Sequence, residues 1–140
     1  MNCFLFPYVL SHALLWSGTA ASAVDLNPVG FTFSEARGVF GGQQVGYGYG
    51  PATGGTFNHA LLWSGTAGSA VDLQSFLPEN YTGSDAAAID PNGNIVGEAY
   101  NSSTGQYDAI LWVAVPEPSA FALAGLGAAT LLILHRRKKG

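Results

Sequence analysis

The sequence predicts a mainly β protein: short antiparallel β-sheet repeats of about 47–49 residues per unit, incomplete and β-propeller-like, plus one C-terminal transmembrane α-helix. Three observations predict it. A fifteen-residue segment recurs almost unchanged 47 positions later. Before residue 115, Gly, Trp, Tyr and Phe are plentiful and strong helix signals are few, which suits short strands joined by tight turns. After it comes an uncharged run of mainly Ala, Leu and Gly, closed by four consecutive basic residues.

The repeat defines the body. His12-Ala-Leu-Leu-Trp16-Ser-Gly-Thr-Ala-Ala-Ser-Ala-Val-Asp25-Leu26 returns as His59-Ala-Leu-Leu-Trp63-Ser-Gly-Thr-Ala-Gly-Ser-Ala-Val-Asp72-Leu73, with fourteen of fifteen positions identical. A weaker third copy, Asp108-Ala-Ile-Leu-Trp112, follows 49 residues after Trp63. Between the tryptophans a second block recurs. Ser34-Glu35-Ala36 answers Ser84-Asp85-Ala86, and Gln44-Val45-Gly46 answers Ile95-Val96-Gly97. Periods of this length, with several short strands each, mark propeller blades or related stacked β units. Two and a half units cannot close a ring of about four to eight blades. The reading therefore expects a fragment, an oligomer or an open arrangement of sheets.

The N-terminus first resembles a secretory signal. Cys3–Leu15 is largely apolar, and Ala21-Ser22-Ala23 has the small-x-small form of a cleavage site. However, no Lys or Arg precedes the apolar stretch, and most of it belongs to the first repeat. Residues 1–11 are accordingly an unassigned segment with a truncated start. Cys3 is the single cysteine, which rules out an intramolecular disulfide. Only two residues precede it, too few for a lipoprotein signal.

Within residues 12–114, Ala60–Trp63 and Ala109–Val113 are apolar runs suited to buried strands. Ser64–Gly68 is a turn and Ser69–Leu73 a short strand. Ala86–Ile89 and Asn94–Tyr100 flank Asp90-Pro91-Asn92-Gly93, a tight turn closing a hairpin. Gly50–Thr56 and Asn101–Gly105 are loops.

Residues 115–140 combine three signals in a fixed order. Pro116 and Pro118 lack backbone N–H groups and interrupt any strand or helix. Residues 119–134 are apolar all round, as a helix in lipid must be. These sixteen residues span about 24 Å as a helix, short of the roughly 30 Å hydrocarbon core. Arg136, Arg137, Lys138 and Lys139 in the basic cluster 135–140 can extend the span by snorkelling. Their charge should hold the C-terminus in the cytoplasm and the body outside.

This tail resembles the PEP-CTERM sorting signal of Gram-negative bacteria. The resemblance covers Val115–Gly140. It implies that an exosortase, a membrane transpeptidase, recognises Pro116, Glu117 and Pro118 within the motif 115–118. Residues 119–134 would be the membrane stop and Arg136–Lys139 the retention cluster. The implied location is the cell envelope, with possible release to the surface or matrix after processing. The repeats in turn resemble the extracellular HAF repeat of bacterial surface proteins. This chain has His-Ala-Leu at 12 and 59 and Asp-Ala-Ile at 108, and the family supplies no catalytic residue to carry over.

Charge narrows the function classes. Of five basic residues only Arg37 precedes the tail, against nine acidic ones, a net of −8 before residue 119. Such a body has no patch for a phosphate backbone, so nucleic acid is not an expected partner. No Ser/His/Asp or Cys/His set stands at catalytic spacing, and neither metal nor cofactor is expected. His12 and His59 read as structural residues at strand starts, and Trp16, Trp63 and Trp112 as core between stacked sheets. Asp90-Pro-Asn92-Gly93-Asn94 resembles the start of a calcium loop but lacks a distal bidentate Glu, so it reads as a turn. Gly46-Tyr47-Gly48-Tyr49-Gly50 lacks the spacing of a dinucleotide fingerprint. Asn80 and Asn101 head glycosylation-type triplets that a bacterial context makes chance matches. The expectation is a non-catalytic, structural or adhesive surface protein, with a surface polysaccharide as a further partner. The alternative is a carbohydrate-binding module using Tyr47, Tyr49, Tyr81 or Tyr100 in one groove. A secreted-enzyme remnant ranks last.

Overall fold

A computed structural model describes residues 10–115 and, by backbone alone, residues 132–137. The body is antiparallel throughout. A two-stranded pair, β1 (Leu14–Leu15) and β2 (Val24–Asp25), comes first. A four-stranded sheet follows in the order β3 (Phe33–Phe40), β4 (Gln43–Tyr49), β5 (His59–Trp63) and β6 (Val71–Asp72). The next sheet repeats the pattern with β7 (Tyr81–Ile89), β8 (Ile95–Asn101) and β9 (Gln106–Ala114). Its fourth strand is β10 (Leu132–Arg137). No closed barrel is formed among the described residues.

The repeat is visible in three dimensions. β1 and β2 carry the residues that β5 and β6 carry 47 positions later. The Ser17–Ser22 and Ser64–Ser69 turns are held alike. The amides of Ser17 and Ser64 donate to Ser22 Oγ and Ser69 Oγ, both at 2.8 Å. Those hydroxyls donate to the carbonyls of Thr19 and Thr66, both at 2.6 Å. Gly18 and Gly65 sit at φ 90° in these turns, a conformation that favours glycine. The β7–β8 hairpin closes as the sequence predicts: Gly93, at φ 83°, returns its amide to Asp90 O at 3.0 Å.

Two cores lie between successive sheets. Ala13 and Leu26 pack with Leu61 and Trp63. Val45, Ala60 and Leu62 pack with Ala86, Ile110 and Trp112. The two faces of the β3–β6 sheet thus serve different neighbours, because side chains alternate along each strand. Serine hydroxyls staple the sheets. The Ala13 amide donates to Ser34 Oγ at 3.1 Å and the Ala60 amide to Ser84 Oγ at 3.0 Å. In return the Ser34 and Ser84 amides donate to Ser11 O and Asn58 O, at 3.0 and 2.9 Å.

One expectation needs correction, and a second is not confirmed. Trp63 and Trp112 are fully buried, but Trp16 is 56% exposed, because among the described residues no sheet packs on the outer side of β1. The second concerns the helix over 119–134. Residues 119–131 lie outside the described ones, whereas Leu132–Leu134 are extended, in β10. No helix among the described residues is long and apolar enough to cross a membrane. The physical reason is the free edge of β9, whose unpaired N–H and C=O groups accept another strand. β10 stands on β9 as β6 stands on β5, with Leu132 opposite Ala114 and Arg137 opposite Ala109.

Candidate functional site

The sorting residues come first. Pro116, Glu117 and Pro118 lie outside the described residues, as do Lys138 and Lys139. Arg136 and Arg137 are described only as backbone in β10. The strand leading to the motif, β9, is well anchored. Its Trp112 indole N–H donates to Leu73 O at 3.2 Å and its Ala114 amide to Asn94 Oδ1 at 3.2 Å. Any cut near Pro116 would therefore fall just beyond a packed strand end.

The repeated histidines are engaged locally. His12 Nδ1 lies 2.7 Å from Asp25 Oδ2, and His59 Nδ1 lies 2.7 Å from Asp72 Oδ2. A carboxylate only accepts, so Nδ1 carries the proton in both pairs. Asp25 Oδ1 also accepts from the Asn27 amide at 2.8 Å, and this bond, then His12, holds the Asp25 carboxyl below its ordinary range. In the third unit Asp108 stands at the histidine position. It is buried and accepts from the Tyr81 hydroxyl at 2.7 Å and from Asn101 Nδ2 at 3.0 Å.

The turn at Asp90 uses up its own oxygens. Oδ1 accepts from the amides of Asn92 and Asn94, and Oδ2 from Asn94 Nδ2, at 2.8 to 2.9 Å. The Asn94 bonds hold this carboxyl below its ordinary range. Among the described residues no group of three or more His, Cys, Asp or Glu could hold a metal ion.

The tyrosines do not share one groove. Tyr81 is 3% exposed, with its hydroxyl on Asp108. Tyr47 and Tyr49 both meet Phe33, edge-on at 6.1 Å and stacked at 5.5 Å. Tyr100 instead lines a groove of about 180 Å³ with Phe57, Asn58, Gly83, Asp85 and Tyr107. Phe57 and Tyr100 are near parallel at 6.2 Å, and Tyr107 is tilted against Tyr100 at 5.3 Å. Gly83 stands where the preceding unit has Phe33, and Phe57 fills the space a Cβ there would need. Sequence reasoning missed Phe57 and Tyr107, which lie in loop and strand-end positions with no repeat counterpart of the same type.

A second cluster surrounds Arg37. Its Nε donates to Glu35 Oε1 at 3.2 Å, and its guanidinium lies 4.5 Å from the centre of the Tyr47 ring. The Tyr47 hydroxyl donates to Glu35 Oε2 at 2.9 Å. Burial, opposed in part by the Arg37 charge, pushes the neighbouring Asp85 carboxyl up.

Comparison with known proteins locates one feature. A family model described as the PEP-CTERM protein-sorting motif matches residues 114–138. No curated protein matches the chain, and no solved structure matches it.

Proposed function

We propose that this chain is an exported bacterial envelope protein whose tail an exosortase recognises at Pro116, Glu117 and Pro118. The observation that carries the reading is the sorting motif over residues 114–138. The order of its parts supports it: a proline-flanked acid, an uncharged run, then Arg136–Lys139. In lipid, residues 119–134 are a helix, since only a helix satisfies their backbone from within. The cationic end stays cytoplasmic and the body faces outward. In the strand form, residues 132–137 satisfy the same backbone groups on the β9 edge instead. The body is then a non-catalytic, propeller-like stack of HAF-type repeats with a structural or adhesive role.

The test is expression of the full chain, with an export signal added, in hosts with and without an exosortase. The mass of the mature protein is the readout. Loss of the residues beyond the Pro-Glu-Pro region only when the enzyme is present supports the reading. An intact chain in both hosts sinks it.

A second reading is favoured by the Phe57–Tyr100–Tyr107 groove. Two near-parallel rings beside Asn58 and Asp85 offer an apolar wall with polar groups at one side, as sugar rings require. Titration with surface polysaccharide while following aromatic fluorescence tests it. Tyr100→Ala should remove any response.

A further inference from the structure

We infer that the two ends of the described β-body are complementary halves of one interface, and that a second copy of this chain docks there head to tail. The argument starts from a junction the chain makes with itself twice. In the first, Leu61 and Trp63 of β5 pack on Ala13 and Leu26 of the preceding unit. In the second, Ile110 and Trp112 of β9 pack on Val45, Ala60 and Leu62. One unit thus presents a Leu/Ile and a Trp, and the unit before it presents a small apolar bed.

Each half of this junction is present once more without a partner among the described residues. On β1 the residues equivalent to Leu61 and Trp63 are Leu14 and Trp16, which are 39% and 56% exposed. On the outer face of the last sheet the equivalents of Val45, Ala60 and Leu62 are Val96, Ala109 and Leu111. Val45 is fully buried, whereas Val96 is 47% exposed. Val96 and Ala109 line a groove of about 350 Å³ with Ala87, Gly97, Arg37, Asp85 and Glu98. End units of stacked repeats usually carry a polar outer face, because an apolar one seeks another unit. Here Leu14 and Trp16 at one end and Val96 at the other are exposed apolar residues. Residues 115–140 hold no further Ala-Leu-Leu-Trp copy. The surface that fits the last sheet is the one already seen on β5 and β9, and in a second molecule that surface is free on β1.

Such an interface is heterologous. Residues of one end meet residues of the other, so association either extends or closes into a ring. This predicts a pattern that an isologous dimer does not give. Trp16→Asp spoils one half and Leu111→Asp the other. A Trp16→Asp copy keeps an intact bed, and a Leu111→Asp copy keeps an intact tryptophan.

The experiment is sedimentation of the full chain in detergent micelles over a dilution series, with circular dichroism confirming that each variant is folded. The wild type should self-associate. Each variant alone should weaken association by on the order of 30-fold or more, the scale of a lost hot-spot tryptophan. An equimolar mixture of the two variants should form a dimer and nothing larger. A monomeric wild type overturns the inference. Association that survives both substitutions belongs to the tail and also overturns it. Variants that are monomeric alone and together, beside an associating wild type, overturn the head-to-tail arrangement.

Discussion

His59 Nδ1 stands 2.7 Å from Asp72 Oδ2, and the pair ties the start of β5 to the end of β6. The second carboxylate oxygen accepts the Gln74 amide at 2.9 Å, so Asp72 also caps the 3₁₀ turn Leu73–Phe76. The same arrangement joins His12, Asp25 and Asn27 one unit earlier. A histidine that recurs with its own acid in the first two units is a structural clip, and in the third unit Asp108 takes its place by turning to Tyr81 and Asn101.

His59→Ala should therefore lower stability by about 1–2 kcal/mol, the scale of a hydrogen bond to a charged group. The His59 side chain is 16% exposed and that of His12 is 41% exposed, so His12→Ala should cost less. Asp72→Ala should cost more than His59→Ala, because the turn loses its cap as well. Urea unfolding of the three variants measures the order. Equal losses at the two histidines would contradict the burial argument.

Gly46 and Gly97 account for the Val-Gly element of the repeat. β3 shifts register between Ala36 and Gly38, and β7 shifts between Ala86 and Ala88. These irregularities bring the Glu35 and Asp85 carbonyl oxygens over the glycines of the neighbouring strands. A Cβ at Gly46 would land on Glu35 O, and one at Gly97 on Asp85 O. Backbone cannot yield as a side chain does. Gly97→Ala should cost about 3 kcal/mol or more, at the upper end for overpacking. Gly68→Ala is the control, since a Cβ there meets nothing within 4 Å. Comparable melting points for the two variants would refute the close-approach account.

These elements show which features the sequence discloses. The fifteen-residue repeat at a spacing of 47 located β5, β6 and their counterparts β1 and β2, because turn residues and apolar residues recur together. The Asp90–Gly93 hairpin was legible from turn chemistry alone. The bulges in β3 and β7 were not, since Ala36 and Ala86 look like ordinary strand residues. Nor was the exposure of Trp16, because burial depends on a neighbouring sheet and not on the residue. The aromatic groove was half legible. Tyr100 was a candidate, but Phe57 reaches it through a loop, across a separation that no periodicity records. The extended form of Leu132–Leu134 also escaped sequence reasoning, as an apolar run is read by its solvent and not by a free strand edge.

Trp63 and Trp112 separate packing from hydrogen bonding. Both are fully buried at equivalent positions. Trp112 Nε1 donates to Leu73 O at 3.2 Å, while Trp63 Nε1 is buried with no hydrogen-bond partner. Substitution by Phe removes the N–H and some ring area in each case. At position 63 it also relieves an unsatisfied donor. Trp112→Phe should therefore destabilise by about 1 kcal/mol more than Trp63→Phe. Ala at either site should cost about 3–5 kcal/mol, because both lie at the centre of a core. Thermal and urea unfolding of the Phe pair gives the comparison. A larger loss at 63 than at 112 would mean that shape, not the bond to Leu73, distinguishes them.

Asp85 sets a pH dependence with the opposite sign to that of the engaged carboxylates. Its Oδ1 is buried without a hydrogen-bond partner, and burial is the largest influence on the group, raising its pKa above the ordinary 3.8. The Arg37 charge and the Asn58 side chain oppose this without cancelling it. Between 3.8 and the raised value the folded protein holds more protons than the unfolded chain. Stability then falls as pH rises through that window, and the carboxylate remains a cost at neutral pH. Asp25 and Asp90 act the other way, since their carboxyls are held below 3.8 and their contribution is lost as the medium becomes more acid than that. Asp85→Asn should thus stabilise the protein at pH 7 by on the order of 1 kcal/mol, reduced because the residue is only partly buried. Well below pH 3.8 the variant and the wild type should melt together, both then being neutral at this position. Melting curves of the two proteins from pH 3 to pH 8 decide it. A variant less stable at pH 7 would show that attraction to the nearby Arg37 charge outweighs the burial of the carboxylate.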